Sequence, residues 1–183
     1  WKWEFPYYGQ TDANPLFVQL VGSFSRRYGP GLLNETYLNK RGETRKIGEA
    51  VLAAIEWISN RMDSNPHGVV EFYQQTSDGI SNQAWRDSRE GYHHADGRIA
   101  DASIGIASMS AQVDAHKAFQ AATYMFPADR EEYLARAEHL REMVLTHWVE
   151  DERGGYFALG SERKANGQRE LLRIRTSDAG HVL

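Results

Sequence analysis

Apolar residues recur at spacings of three and four in four stretches of the chain. Asn14 and Pro15 suit a helix cap and first turn. Phe17, Leu20, Val21, Phe24 and Tyr28 then share one face of a helix that "YGPG" at 28–31 stops. The same spacing predicts a second helix over about 44–63, with Ile47, Val51, Ile55, Ile58 and Met62 as its stripe. A third is predicted over about 106–125 and a fourth over about 129–149, the latter turning Leu134, Ala137, Leu140, Val144 and Trp148 inward. "FPAD" between them is short enough to make this pair an antiparallel helical hairpin. Period two is confined to "GYFAL" at 155–159 and "LLRIRT" at 171–176, two strands expected around a "KANGQ" turn. The expected fold is all-α: helical hairpins joined by long polar loops, with a small β-hairpin near the C-terminus.

Two stretches carry no such period. Residues 1–13, "WKWEFPYYGQTDA", are rich in aromatic side chains, and residues 64–98 form one long connection. Connections beyond roughly 12–15 residues inside a compact domain are usually functional or disordered. Within this one, "NQAWRDSREGYHHADG" at 82–97 is too aromatic for disorder.

Composition narrows the function classes. The chain has 183 residues, 41% hydrophobic and 11% aromatic, which suits one domain with a real core. A net charge of −4 gives no general attraction to nucleic acid or anionic membrane. No apolar run approaches the roughly 18 residues that span a bilayer, and no signal-peptide pattern is visible, so a cytoplasmic location without membrane contact is expected. The absence of cysteine excludes disulfides and thiol chemistry. No nucleotide-binding glycine pattern, metal-spaced His/Cys set or G-x-S-x-G occurs, so neither metal nor cofactor is expected. The start at Trp1 and the stop at Leu183 read as cuts in a longer chain.

The two aperiodic stretches supply what sugar chemistry uses: carboxylates for acid–base work and aromatic faces that stack on a pyranose ring. Tyr7, Tyr8 and Asp12 precede the first helix. Trp85, Asp87, Glu90, Tyr92, His94 and Asp96 precede the third. In a helical-hairpin fold, loops before alternate helices can share one end of the molecule, which would bring Asp12 and Asp87 into one cleft. Each residue also has a plainer reading. Asp12 would support the N-terminus of the first helix, Asp87-Ser88 would be an Asx-type turn, and Asp96-Gly97 would be a turn. His116, His139 and His147 read as packing or surface residues.

Three stretches go further together. "YYGQTDANPLFVQLVGSF" at 7–24, "NQAWRDSREGYHHADGRIAD" at 82–101 and "RIRTSDAGHVL" at 173–183 resemble, in that order, the glycogen-debranching, amylo-alpha-1,6-glucosidase-like glycoside hydrolases. The resemblance implies an (α/α)6 barrel, six helical hairpins in a ring with the active site in loops at one end. Four helices cannot close such a ring. Residues 1–183 are therefore expected to be one segment, a partial catalytic domain of a longer hydrolase, with the rest of that domain as its partner. By resemblance, Asp87 in Trp85-Arg86-Asp87-Ser88 is the general acid of an inverting, exo-acting reaction on alpha-glucosidic bonds of an oligo- or polysaccharide. Such an acid needs a raised pKa, which burial beside an aromatic wall provides and a close cation opposes. Arg86 is accordingly expected to point away from Asp87, toward a substrate hydroxyl. Asp12 matches a residue that binds hydroxyls of the terminal sugar, with Tyr8 and Trp85 lining that subsite and His94 and Asp96 close by. The general base is expected beyond Leu183, leaving the segment inactive alone.

One departure stands out. Where relatives carry a Glu-x-Gln pair at the start of the next helix, this chain has Ser108 and Ser110. Loss of those groups motivates two alternatives, a non-catalytic carbohydrate-binding relative and a hydrolase for another hexosyl glycoside. A helical interaction module without a sugar site is the third reading.

Overall fold

The computed structural model describes residues 10–74 and 80–182. Four α-helices form its larger half: α1 (Ala13–Tyr28), α2 (Ile47–Asp63), α3 (Met109–Met125) and α4 (Arg130–Leu145). Seven short strands make three small antiparallel sheets. β1 (Thr36–Leu38) pairs with β2 (Thr44–Lys46), and β4 (Trp148–Val149) with β5 (Tyr156–Phe157). In the third sheet β6 (Gly160–Arg163) lies between β3 (Ile106–Ser108) and β7 (Arg169–Leu172). About 49% of the structure is helical and 14% is strand.

This overturns the all-α expectation: the fold is mixed, and no barrel is identified among the described residues. The cause lies at the helix starts. Residues 106–108 share the apolar character of the helix that follows, yet they are extended and paired with the distant β6, while the polar residues 44–46 are extended and paired with the neighbouring β1. Ladder partners such as Ile106 and Glu162 are too far apart in sequence for a local period to reveal. The C-terminal hairpin also starts later than expected, at 160–163 and 169–172 around the Lys164–Gln168 turn.

The helical core joins Val18 and Val21 of α1, Val51, Ile55 and Ile58 of α2, Ala115 and Phe119 of α3, and Leu140 of α4. On α2 the predicted stripe is the buried one, with Ile47 partly covered. On α1 it is not. Val18, Val21, Gly22 and Ser25 face inward, whereas Leu20, Phe24 and Tyr28 are exposed. A Cβ at Gly22 would sit 2.6 Å from the Ala121 Cβ, so small residues let α1 lie close on α3. Leu134 and Trp148 are likewise exposed, and Tyr133 takes the inward place on α4.

A second core lies under the long connection. Tyr92, Phe72, Ala84, Ala100 and Ala102 pack on Ile106, Leu159 and Leu172 of the β3–β6–β7 region. Tyr92 meets Phe72 edge-on at 5.4 Å between ring centroids. This apolar burial offsets the cost of ordering a loop so full of ionisable groups.

Candidate functional site

The stretch before α1, the long connection and the C-terminal stretch meet. Thr11, just before α1, donates both its backbone N–H (2.8 Å) and its hydroxyl (3.0 Å) to the Gln83 carbonyl. The loop beyond Gln83 is pinned internally, since the Asn82 side-chain amide donates to the Ser88 carbonyl. Asp178, in the 3-10 segment Ser177–Val182, then ties down the next two residues. Its carboxylate accepts from Trp85 Nε1 at 3.2 Å and from Arg86 Nε at 2.8 Å, and it is almost fully buried. Arg86 also lies over the Trp85 ring, 5.2 Å from its centroid.

This anchoring gives the motif a definite shape. Trp85 stays 54% exposed although its N–H is fixed, so an indole face is held open to solvent. Arg86 turns to Asp178 rather than Asp87, as expected. Its Nε is committed there instead of being free for a sugar hydroxyl. Asp87 is exposed, contrary to the burial expected of a proton donor, because Arg86 and Trp85 turn toward Asp178 and leave it uncovered. Its carboxylate takes no hydrogen bond among the described residues, so the Asx-turn reading fails too. Tyr8 lies outside the described residues.

Asp12 occupies the N-cap position of α1, yet its side chain makes no cap hydrogen bond. One of its oxygens, Oδ1, is buried without a hydrogen-bond partner among the described residues, as are Gln83 Oε1 and the Tyr92 hydroxyl. Most buried polar atoms in folded proteins are bonded, so three orphans near one helix head call for a reason. Burial pushes the Tyr92 phenol well above its ordinary range. The Ser108 hydroxyl partly opposes this, the charges of Asp178 and Asp12 add to it, and Arg86 subtracts. Tyr92 is therefore a neutral donor at any physiological pH. Together the groups provide a donor hydroxyl, two acceptor oxygens, a free carboxylate at Asp87 and a fixed aromatic face.

His94 and Asp96 belong elsewhere. The His94 ring bonds Glu162 Oε2 of β6 at 2.6 Å and lies 3.6 Å from Glu170 Oε1 of β7. Glu162 and Glu170 face each other across the ladder, a like-charge pair that needs a cation. Lys164 supplies it, with Nζ 2.9 Å from Glu162 and 2.6 Å from Glu170. The ligand atoms of His94, Glu162 and Glu170 lie within 4.8 Å of one another, a spacing open to a metal ion, but Lys164 already answers their charge. Asp96 accepts the Arg98 N–H at 3.0 Å, so its turn reading holds. A recess of about 640 Å³ beside this cluster is lined by Arg98, Lys164, Gln168 and Arg173 among others.

Ser108 has a structural duty, accepting the Ala111 N–H as the N-cap of α3. Sequence reasoning missed Gln83 and Asp178 as site residues. Asp178 lay within a quoted stretch, "RIRTSDAGHVL", but nothing local marks it as the anchor of residues 92 positions away. Compared with known protein families and with curated protein sequences, the chain matches none. No helix among the described residues is long and apolar enough to cross a membrane.

Proposed function

We propose that the chain carries part of the substrate site of a glycoside hydrolase of the amylo-alpha-1,6-glucosidase-like kind, acting on alpha-glucosidic bonds of an oligo- or polysaccharide. The supporting observation is the set of buried orphans at Asp12, Gln83 and Tyr92 beside an anchored, solvent-facing indole. Sugar hydroxyls both donate and accept, so such orphans gain their missing bonds on binding, while the pyranose C–H face covers Trp85. Asp87 is the proton donor to the glycosidic oxygen in this reading, and a carboxylate outside the chain activates water. The proton leaves Asp87 as the bond to the leaving oxygen breaks. His94 and Asp96 serve as scaffold.

Calorimetry with maltose and isomaltose tests the binding half. Asp12→Asn and Trp85→Ala should each weaken binding by about tenfold or more, equivalent to about 1.4 kcal/mol. Equal affinity in both variants would remove the site from contention. The catalytic half needs the longer protein, in which Asp87→Asn should abolish glucose release.

The exposure of Asp87 favours a second reading, a carbohydrate-binding relative without turnover. A carboxyl group in open water does not hold its proton near neutral pH, and a general acid must. Binding of isomaltose by the longer protein, with no glucose released, would select this reading.

A further inference from the structure

The β4–β5 hairpin carries a second indole held in the manner of Trp85. Trp148 is 48% exposed, although three contacts fix it. Its ring meets its cross-strand partner Phe157 edge-on at 5.1 Å between centroids, and its Nε1 donates to Glu150 Oε1 at 3.4 Å. A Cβ at Gly155 would stand 1.8 Å from Trp148 Cζ2, so the ring lies in space that only glycine leaves free. Phe157 in turn packs against Met109 and Val113 of α3 and Val144 of α4, which ties the pair to the core. Tyr156, by contrast, is covered, since the Arg175 guanidinium lies 4.4 Å over its ring. Trp148 is the open face, and its orientation is set before anything binds. A protein interface of ordinary size buries about 800 Å² per partner. Here one indole stands among Glu150, Asp151, Glu152 and Arg153, all exposed, an arrangement that suits a sugar ring better than a protein. Glu150 Oε2 takes no bond among the described residues and offers an acceptor to a hydroxyl at the indole edge.

Residues 173–178 join this hairpin to the site. The Tyr156 hydroxyl donates to the Arg173 carbonyl at 3.2 Å, and Arg175 bonds Asp151 and the Gly154 carbonyl, each at 2.8 Å. Three positions on, Asp178 holds Trp85 and Arg86. Three residues reach at most about 11 Å, so the two fixed indoles are anchored at neighbouring points of one short segment. We propose that Trp148 is a second stacking face for the saccharide, and that one glucan chain meets Trp85 and Trp148 together. The proposal rests on the carbohydrate reading of the Trp85 site and adds chain length to it. Once a chain is held at Trp85, its contact with Trp148 is intramolecular, so affinity grows with the number of linked sugars.

Indole N–H resonances of the nitrogen-labelled chain, assigned with Trp85→Phe and Trp148→Phe, test this during titration with maltose and with maltoheptaose. Maltose should shift the Trp85 resonance alone, and maltoheptaose should shift both. In calorimetry, maltoheptaose should bind the wild type more tightly than maltose does. Trp148→Ala should remove that gain, a loss of about three- to tenfold, and leave maltose affinity as it was. The wild-type shifts stand by themselves if Trp148→Ala does not fold. A Trp148 resonance that ignores maltoheptaose while Trp85 responds refutes the second face and leaves the carbohydrate reading intact. Equal maltoheptaose affinity in the wild type and Trp148→Ala does the same. If neither saccharide moves the Trp85 resonance, the carbohydrate reading itself fails, and the two-indole proposal falls with it.

Discussion

Two groups of ionisable side chains border the second core, and they differ in what they leave unbonded. Around Glu162 every charge has an answer: His94, Lys164 and the Asp101 N–H all bond its carboxylate. Around Asp12 the reverse holds: among the described residues, Asp12 Oδ1, Gln83 Oε1 and the Tyr92 hydroxyl are buried without a bond. Both groups contain the residue types that sequence reasoning selects for chemistry. Partnership, not residue type, separates scaffold from site. A polar atom kept buried without a bond is a standing cost, and a ligand that bonds it recovers that cost.

The largest expected effect breaks the comparison on its scaffold side. Glu162→Ala leaves His94 and Lys164 without their acceptor and should cost about 3–5 kcal/mol, as removal of one partner from a buried ion pair does. Asp12→Ala removes a carboxylate whose buried Oδ1 has no partner among the described residues, and should be neutral or slightly stabilising in a urea melt. Equal losses in the two variants would mean that Asp12 is scaffold as well. Burial tends to raise Glu162, yet the bonds from Lys164, the Asp101 N–H and His94 prevail and hold it below the ordinary glutamate value of 4.5. A depressed carboxyl contributes stability above that value and loses it as pH falls through the lower folded one. Lys164→Met should therefore flatten the acid limb of the stability curve below pH 4.5.

Asp178→Ala comes next, at about 1–3 kcal/mol, the cost of stranding two donors that can partly rehydrate. Its sharper consequence is on shape. Trp85 and Arg86 lose their common anchor, so indole fluorescence should lose anisotropy and isomaltose binding should weaken although neither side chain is altered. Unchanged anisotropy would show that the loop holds its form without Asp178.

A smaller effect comes from His147, buried between the Met143 carbonyl and the Ser161 hydroxyl. Burial depresses its pKa below 6.5, with Arg169 adding to the drop and the Met143 carbonyl opposing it. The unfolded chain then binds the proton more readily, so stability should fall as pH drops below 6.5. His147→Gln should remove that part of the slope in a thermal melt followed by circular dichroism.

Legibility in the sequence follows the range of the interaction. The α2 stripe was readable because its large apolar residues are the ones that pack. The α1 stripe misled because Leu20, Phe24 and Tyr28 are large and exposed, while Gly22 and Ser25 make the close approach to α3. Period reports size and polarity along one helix, and α1 is packed by absence of bulk. The strand β3 is hidden for a related reason, since its partners on β6 lie more than fifty positions away. At the site, Asp12, Trp85 and Asp87 stood out as a loop constellation. Tyr92 drew notice only as loop aromatic material. Asp178 did not, because its role is to receive bonds from two residues in another stretch.

Asp87→Asn should have the least effect on the fold and therefore draws the comparison most finely. The carboxylate is exposed and bonded to nothing described, so the change should leave stability within about 0.5 kcal/mol. A residue kept acidic for packing, capping or a turn would show itself here by a larger loss. If stability holds and the longer protein loses glucose release, Asp87 stands with the site rather than the scaffold, and something outside the described residues must cover it during the reaction. If stability holds and release also persists, proton transfer belongs to another group and Asp87 joins neither the scaffold nor the site.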